Sequence, residues 1–81
     1  MAYYVYIILC NDNTYYIGYT TNLEKRIEIH NLKLGAKYTR GRTPVVLRYY
    51  ESFETLSDAL KKEIKLKKLS RQKKTELINC A

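Results

Sequence analysis

The sequence predicts a small α/β unit of the α+β kind: a three-stranded antiparallel sheet flanked by helices, in the order ββαβαα. Three observations carry this. An uncharged aromatic and β-branched run is joined by Asn11-Asp12-Asn13 to a second such run. Capping residues open three later stretches at helical periodicity. The only proline, Pro44, opens a third β-rich run. With 81 residues, of which 46% are hydrophobic, a single domain spanning 1–81 is expected. A chain of this size buries only about 60–65% of the surface its unfolded form exposes, so its core is small.

Residues 3–9 (Tyr-Tyr-Val-Tyr-Ile-Ile-Leu) make the first strand. Asn11-Asp12-Asn13 supplies the turn, because these side chains tolerate left-handed backbone and bond locally. Residues 14–19 make the second strand, completing a hairpin. Gly18, inside that strand, marks a bulge or a close approach. Thr21 and Glu24 form a capping box that starts a helix near residue 22. Leu23, Ile27 and Leu34 are its buried face, and Gly35 its stop. A loop rich in Gly, Lys and Arg runs from 35 to 44, followed by a strand from Val45 to about Phe53. Thr55 with Asp58 caps a helix reaching about Leu69, and Ser70 caps a short last helix through Glu76, Leu77 and Ile78.

The net charge of +7 is unevenly placed. Residues 1–32 carry −1, residues 51–81 carry +3, and residues 33–50 carry five basic side chains and no acid. Such a block is the footprint of a polyanionic partner. Within it Lys37, Tyr38, Arg40 and Arg42 interleave cations with an aromatic ring, which suits phosphate contact and base stacking. The run from Ala2 to Cys10 lacks the basic start and cleavage site of a signal peptide, and it is far short of the ~20 residues of a spanning helix. A cytoplasmic protein without membrane attachment is expected. Cys10 and Cys80 are too few for a disulfide framework.

Five side chains stand out chemically. Tyr6 and Tyr16 lie on neighbouring strands and can share one face. Arg26 and His30, four apart in a capped helix, share a face as well. An arginine forks onto a phosphate, and an imidazole exchanges a proton near neutrality. Nearby cationic charge from Arg26 or a metal is expected to lower the Tyr6 phenol from its ordinary value of about 10. On the helix of 56–69 the apolar face is expected to centre on Leu56, Leu60 and Ile64. Glu63 falls about 20° from Leu56 on a 100° wheel. An inward carboxylate must be paired, with Lys67 one turn on, or bind a metal.

Tyr4-Val5-Tyr6, the literal Tyr16-Ile17-Gly18, Tyr19 to Arg26, His30-Asn31, Tyr38-Thr39-Arg40, Thr43-Pro44-Val45 and Ala59 to Glu63 together resemble the GIY-YIG nuclease domain, over nearly the whole chain. The resemblance implies metal-dependent hydrolysis of DNA phosphodiesters, leaving 5′-phosphate and 3′-hydroxyl. It implies that Tyr6 contacts or deprotonates the attacking water, that Tyr16 orients water or phosphate, and that Arg26 and His30 complete the catalytic set. It implies one divalent cation, Mg²⁺ or Mn²⁺, on Glu63. For Gly18 it implies close approach, and it matches Asn79 to an asparagine of the family. Larger relatives select their targets through an attached domain. Low sequence specificity is therefore expected here, on DNA that is branched, damaged or single-stranded, with repair or recombination as the setting. Tyr4 replaces a glycine frequent in the family. The competing expectation is a nucleic-acid-binding module or adaptor that keeps the fold without catalysis.

Overall fold

The structure is a computed structural model that describes residues 2–80. Its elements are β1 (Tyr3–Leu9), β2 (Tyr15–Thr20), α1 (Leu23–Asn31), α2 (Lys37–Arg40), β3 (Val46–Phe53), α3 (Leu56–Lys68) and α4 (Arg71–Cys80). The expected order holds, with one turn of helix, α2, added inside the segment read as loop. The sheet order is β2-β1-β3, antiparallel throughout. The hydrophobic first strand is therefore central and buried on both faces, as its near-continuous apolar run requires.

Alternation along β1 divides the core in two. Val5 and Ile7 point to the face covered by α3 and α4, where they pack with Ile17, Ala59 and Leu66. Tyr6, Ile8 and Cys10 point to the other face, where they meet Val45, Leu23 and Ile27. The hairpin register pairs Tyr6 with Gly18 and Ile8 with Tyr16, so Tyr6 and Tyr16 lie diagonally on one face. No bulge interrupts β1 and β2 at Gly18. The one irregularity lies between β1 and β3, at Ile7/Ile8. Asn31, at the end of α1, clamps the approach to β3: its side chain accepts from Val45 N (2.7 Å) and donates to Val45 O (3.3 Å).

The caps at Thr55 and Ser70 form as expected, accepting from Asp58 N and Lys73 N. Three expectations need correction. The α1 cap is Asn22, whose Oδ1 accepts from Lys25 N at 3.1 Å, and Thr21 makes no capping bond. The helix ends at Leu32, with Lys33 in the left-handed region (φ 63°), so Gly35 does not stop it and Leu34 is exposed. The buried ridge of α3 is Ala59 and Leu66, whereas Leu56 and Ile64 are 39% and 53% exposed. Size decides this, since the small Ala59 lets α3 lie close against the sheet. Glu63 stays inward on the corrected ridge, one turn after Ala59 and about one turn before Leu66. No helix among the described residues is long and apolar enough to cross a membrane.

Candidate functional site

Three separate segments supply a chain of side chains that starts at the Tyr6 hydroxyl. β1 brings Tyr6 itself, α1 brings Arg26 and His30, and the turn of α2 brings Thr39. Tyr6, His30 and Thr39 are all essentially inaccessible to solvent. The Tyr6 hydroxyl lies 3.0 Å from His30 Nε2, and Arg26 Nε donates to it at 3.4 Å. On the far side of the ring, His30 Nδ1 lies 2.8 Å from Thr39 Oγ1, and Thr39 Oγ1 donates to Ala36 O at 2.9 Å.

The proton positions follow from the partners. Thr39 spends its single hydroxyl hydrogen on the Ala36 carbonyl, so it accepts from His30 and the imidazole proton sits on Nδ1. Nε2 is then bare and accepts the Tyr6 O–H. The result is a directed chain, from Arg26 through Tyr6, His30 and Thr39 to Ala36 O.

Burial, and then the Arg26 charge, lowers the His30 pKa to about 4, so the ring is neutral at physiological pH. The Tyr6 phenol is raised from its ordinary value of 10.0. Burial is the largest cause and outweighs the lowering by Arg26, while Tyr16 and Glu63 add to the rise. The expectation that Arg26 would make Tyr6 more acidic is therefore overturned: desolvation of the charged form wins. The Glu63 charge is the weakest of these influences on Tyr6, and its helix covers the opposite face of the sheet.

A depressed histidine has a consequence for stability. An unfolded imidazole takes a proton near pH 6.5, the folded one only near 4. Between these values the unfolded state binds more protons. Stability is thus expected to fall as pH drops from about 6.5 towards 4, at roughly 1.4 kcal/mol per pH unit at most. The chain has one histidine, so chemical denaturation of the wild type and of His30→Gln at several pH values isolates its share. An equal acid slope in both proteins would contradict the depressed value.

Two glycines make room for this centre. A Cβ on Gly18 would lie 2.6 Å from Tyr6 Oη, 2.8 Å from Tyr6 Cζ and 3.3 Å from Tyr16 Cε2. A Cβ on Gly35 would collide with His30 Nδ1. Gly35 is buried against the imidazole, which is its actual role in place of the helix stop. The sequence reading gives Gly35 only the role of a helix stop and gives Thr39 no chemical role. The threonine stands between Tyr38 and Arg40, where only the cations and the ring draw notice.

Tyr16 extends the centre sideways. Its ring meets His30 edge-on at 5.5 Å and stacks on Tyr38 at 5.8 Å and 24°. The Arg42 guanidinium lies 4.1 Å from the centroid of the Tyr38 ring.

A family model described as the GIY-YIG catalytic domain matches residues 2–76. The chain belongs to the GIY-YIG family. A UPF0213 protein of Halobacterium salinarum is 53% identical over 75 residues, spanning 93% of this chain and 97% of that protein. One from Staphylococcus haemolyticus is 53% identical over 76 residues, spanning 94% and 93%. The solution NMR structure of a UPF0213 protein from Bacillus halodurans aligns with a TM-score of 0.64 at 44% identity, over 99% of this chain and 85% of that one. As a GIY-YIG domain the chain falls among DNA nucleases that generally use a divalent metal.

The residues of this GIY-YIG domain fit such a group. Glu63 is a hard oxygen donor, and its side chain is only 15% exposed. Among the described residues its cationic contact is a 3.6 Å pair with Lys67, whose own side chain is 56% exposed. Among the described residues no three His, Cys, Asp or Glu side chains converge. A cation held by this one carboxylate would keep most of its waters.

The other expected residues spread outward. Lys37, Tyr38 and Arg40 are exposed on α2. Arg42 donates to Asp12 Oδ2 at 2.8 Å and to Tyr38 O at 2.6 Å, so the block that lacks acids in sequence gains one from the hairpin turn. Arg40 donates to Gly35 O at 3.4 Å. Asn79 is exposed on the last turn of α4 and makes none of the contacts around Tyr6. A groove beside Tyr4, Tyr50 and the start of α1 carries Glu24 and, among the described residues, no cation, so it does not suit a polyanion.

Proposed function

We propose that the protein is a cytoplasmic, divalent-cation-dependent endonuclease that hydrolyses DNA phosphodiester bonds with little sequence specificity, in repair or recombination. The observation that carries this reading is the directed chain Arg26–Tyr6–His30–Thr39. A phenol whose proton points at a bare imidazole nitrogen, beside a guanidinium, is an arrangement for moving a proton next to a phosphate.

In the resting protein the Tyr6 oxygen accepts a 3.4 Å bond from Arg26. A bound phosphate offers Arg26 two stronger, charge-assisted bonds. As the guanidinium turns to it, the Tyr6 oxygen is uncovered for a water. The same event neutralises the charge that helps to hold His30 low. His30 thus gains basicity when substrate is present. The water then passes a proton to Tyr6 Oη as Tyr6 passes its own to His30 Nε2, and the water oxygen bonds to phosphorus. The bond to the 3′ oxygen breaks, and that oxygen takes up a proton from solvent. Thr39 and the Ala36 carbonyl keep the Nδ1 proton in place throughout. Tyr16, packed on His30, fixes the ring and presents its hydroxyl towards the phosphate. Glu63 would hold the cation, which supplies charge neutralisation at the phosphate and at the departing oxygen.

Nicking of supercoiled plasmid with Mg²⁺, with Mn²⁺ and with chelator tests this directly. Cleavage is expected only with a cation, and Glu63→Gln should lose it by ~10²-fold or more. The pair with Lys67 is partly exposed, worth at most about 1 kcal/mol. The variant should therefore keep its fold and its affinity for DNA in chelator. Wild-type rates in Glu63→Gln would remove Glu63 as the metal ligand. Binding without cleavage under every condition would favour the non-catalytic module.

A further inference from the structure

The acid-free run between Glu63 and Glu76 holds Lys65, Lys67, Lys68, Arg71, Lys73 and Lys74, a denser basic block than residues 33–50. Part of it reaches the catalytic centre. Along the outer edge of β2, between α2 and the α3–α4 pair, runs a cleft lined by Tyr15, Tyr16, Ile17, Tyr38, Lys67 and Lys74. No acid lines it. Tyr16 belongs to both places, since its ring meets the His30 edge and also forms the wall of the cleft. The cleft is thus continuous with the site where the scissile phosphate would lie.

Its cations are positioned by packing. α4 is tied to β2 through Tyr15: the Tyr15 hydroxyl lies 2.9 Å from Thr75 Oγ1, and the Arg71 guanidinium lies 4.5 Å from the centroid of the Tyr15 ring. Lys74, adjacent to Thr75, is thereby set at the cleft, with no acidic partner among the described residues. Among the described residues Lys67 is engaged only by the 3.6 Å pair with Glu63, and it is itself 56% exposed, so a phosphate can claim it at small cost. In the other basic block, Arg42 is bound to Asp12 and to the Tyr38 carbonyl, and Arg40 to Gly35 O.

We propose that this cleft is a phosphate subsite for the DNA strand flanking the scissile bond, with Lys67 and Lys74 as its cations and the Tyr16 and Tyr38 hydroxyls as neutral donors. The proposal rests on the nuclease reading for the identity of the strand, but not on catalysis. The cleft, rather than the 37–42 segment, then supplies the larger share of the salt-dependent affinity.

Fluorescence anisotropy of a labelled single-stranded oligonucleotide, titrated in chelator over a range of salt, tests it without cleavage. Each lost phosphate contact lowers the slope of log K against log salt by about 0.7 on single strands. Lys67→Ala/Lys74→Ala is expected to flatten the slope by about 1.4, and Lys37→Ala/Arg40→Ala/Arg42→Ala by less. An unchanged slope in the first variant, with the loss in the second, overturns the subsite and returns the strand to α2. If the wild-type protein fails to bind at low salt, the nuclease reading itself falls, a result distinct from either.

Discussion

Replacing Tyr6 by phenylalanine is expected to lower the single-turnover cleavage rate by about 10²-fold or more, the usual contribution of a positioned proton-transfer group. It is also expected to destabilise the fold, which is unusual for the loss of one hydroxyl. The Tyr6 oxygen is where Arg26 and His30 meet, at 3.4 and 3.0 Å, and the ring it belongs to is buried. Without it, His30 Nε2 is left as a buried acceptor with no partner, at a cost of ~1–3 kcal/mol. Denaturant melts and quenched-flow cleavage on the same preparation separate the two effects. Wild-type cleavage in a destabilised variant would reduce the hydroxyl to a packing role. Wild-type stability would contradict the hydrogen bonds themselves.

Arg26→Ala is expected to cost ~10²–10³-fold in rate, as the loss of one preorganised charge donor does elsewhere. A second readout is independent of cleavage. Arg26 helps to depress the His30 imidazole, so the variant should titrate at higher pH than wild type. The chain has a single histidine, so one NMR resonance followed against pH reports it without ambiguity. An unmoved titration would mean that burial alone sets the value and that phosphate binding cannot tune the base. If Tyr6 and Arg26 act as one unit, the Tyr6→Phe/Arg26→Ala protein should be little worse than the poorer single variant. Additive losses would assign them to separate steps.

Much of this centre is legible in the sequence because it depends on two periodicities. Alternation along the strands puts Tyr6 and Tyr16 on one face, and the four-residue spacing puts Arg26 with His30. The caps at Thr55 and Ser70 are legible because a hydroxyl reaching back to a backbone amide is a local event. What escapes is whatever depends on segments meeting. Asn22 takes the cap from neighbouring Thr21, although both residues are competent to cap. Lys33 adopts a left-handed backbone that favours glycine, while Gly35, the obvious stop, is reserved for the imidazole beneath which it packs. The turn of α2 is too short to have a periodic signature, and its Thr39 is held by His30 from another helix. The face of α3 turns on the smallness of Ala59, which a hydrophobicity count undervalues. The protonation of Tyr6 escapes for the same reason, since burial cannot be read from the neighbouring charge.

The cross-strand contact of Gly18 with Tyr6 has a bearing on how such a chain can change. The phenol head fills the volume that a side chain at 18 would occupy, so the two positions act as one unit of shape divided between two strands. A methyl group gained at 18 displaces the hydroxyl at 6, and a smaller ring at 6 leaves a hole over 18. Neither position can drift alone. A lineage that abandons the chemistry is free to alter both together, and a paired replacement of this glycine and this tyrosine marks a descendant that has kept the scaffold for another use.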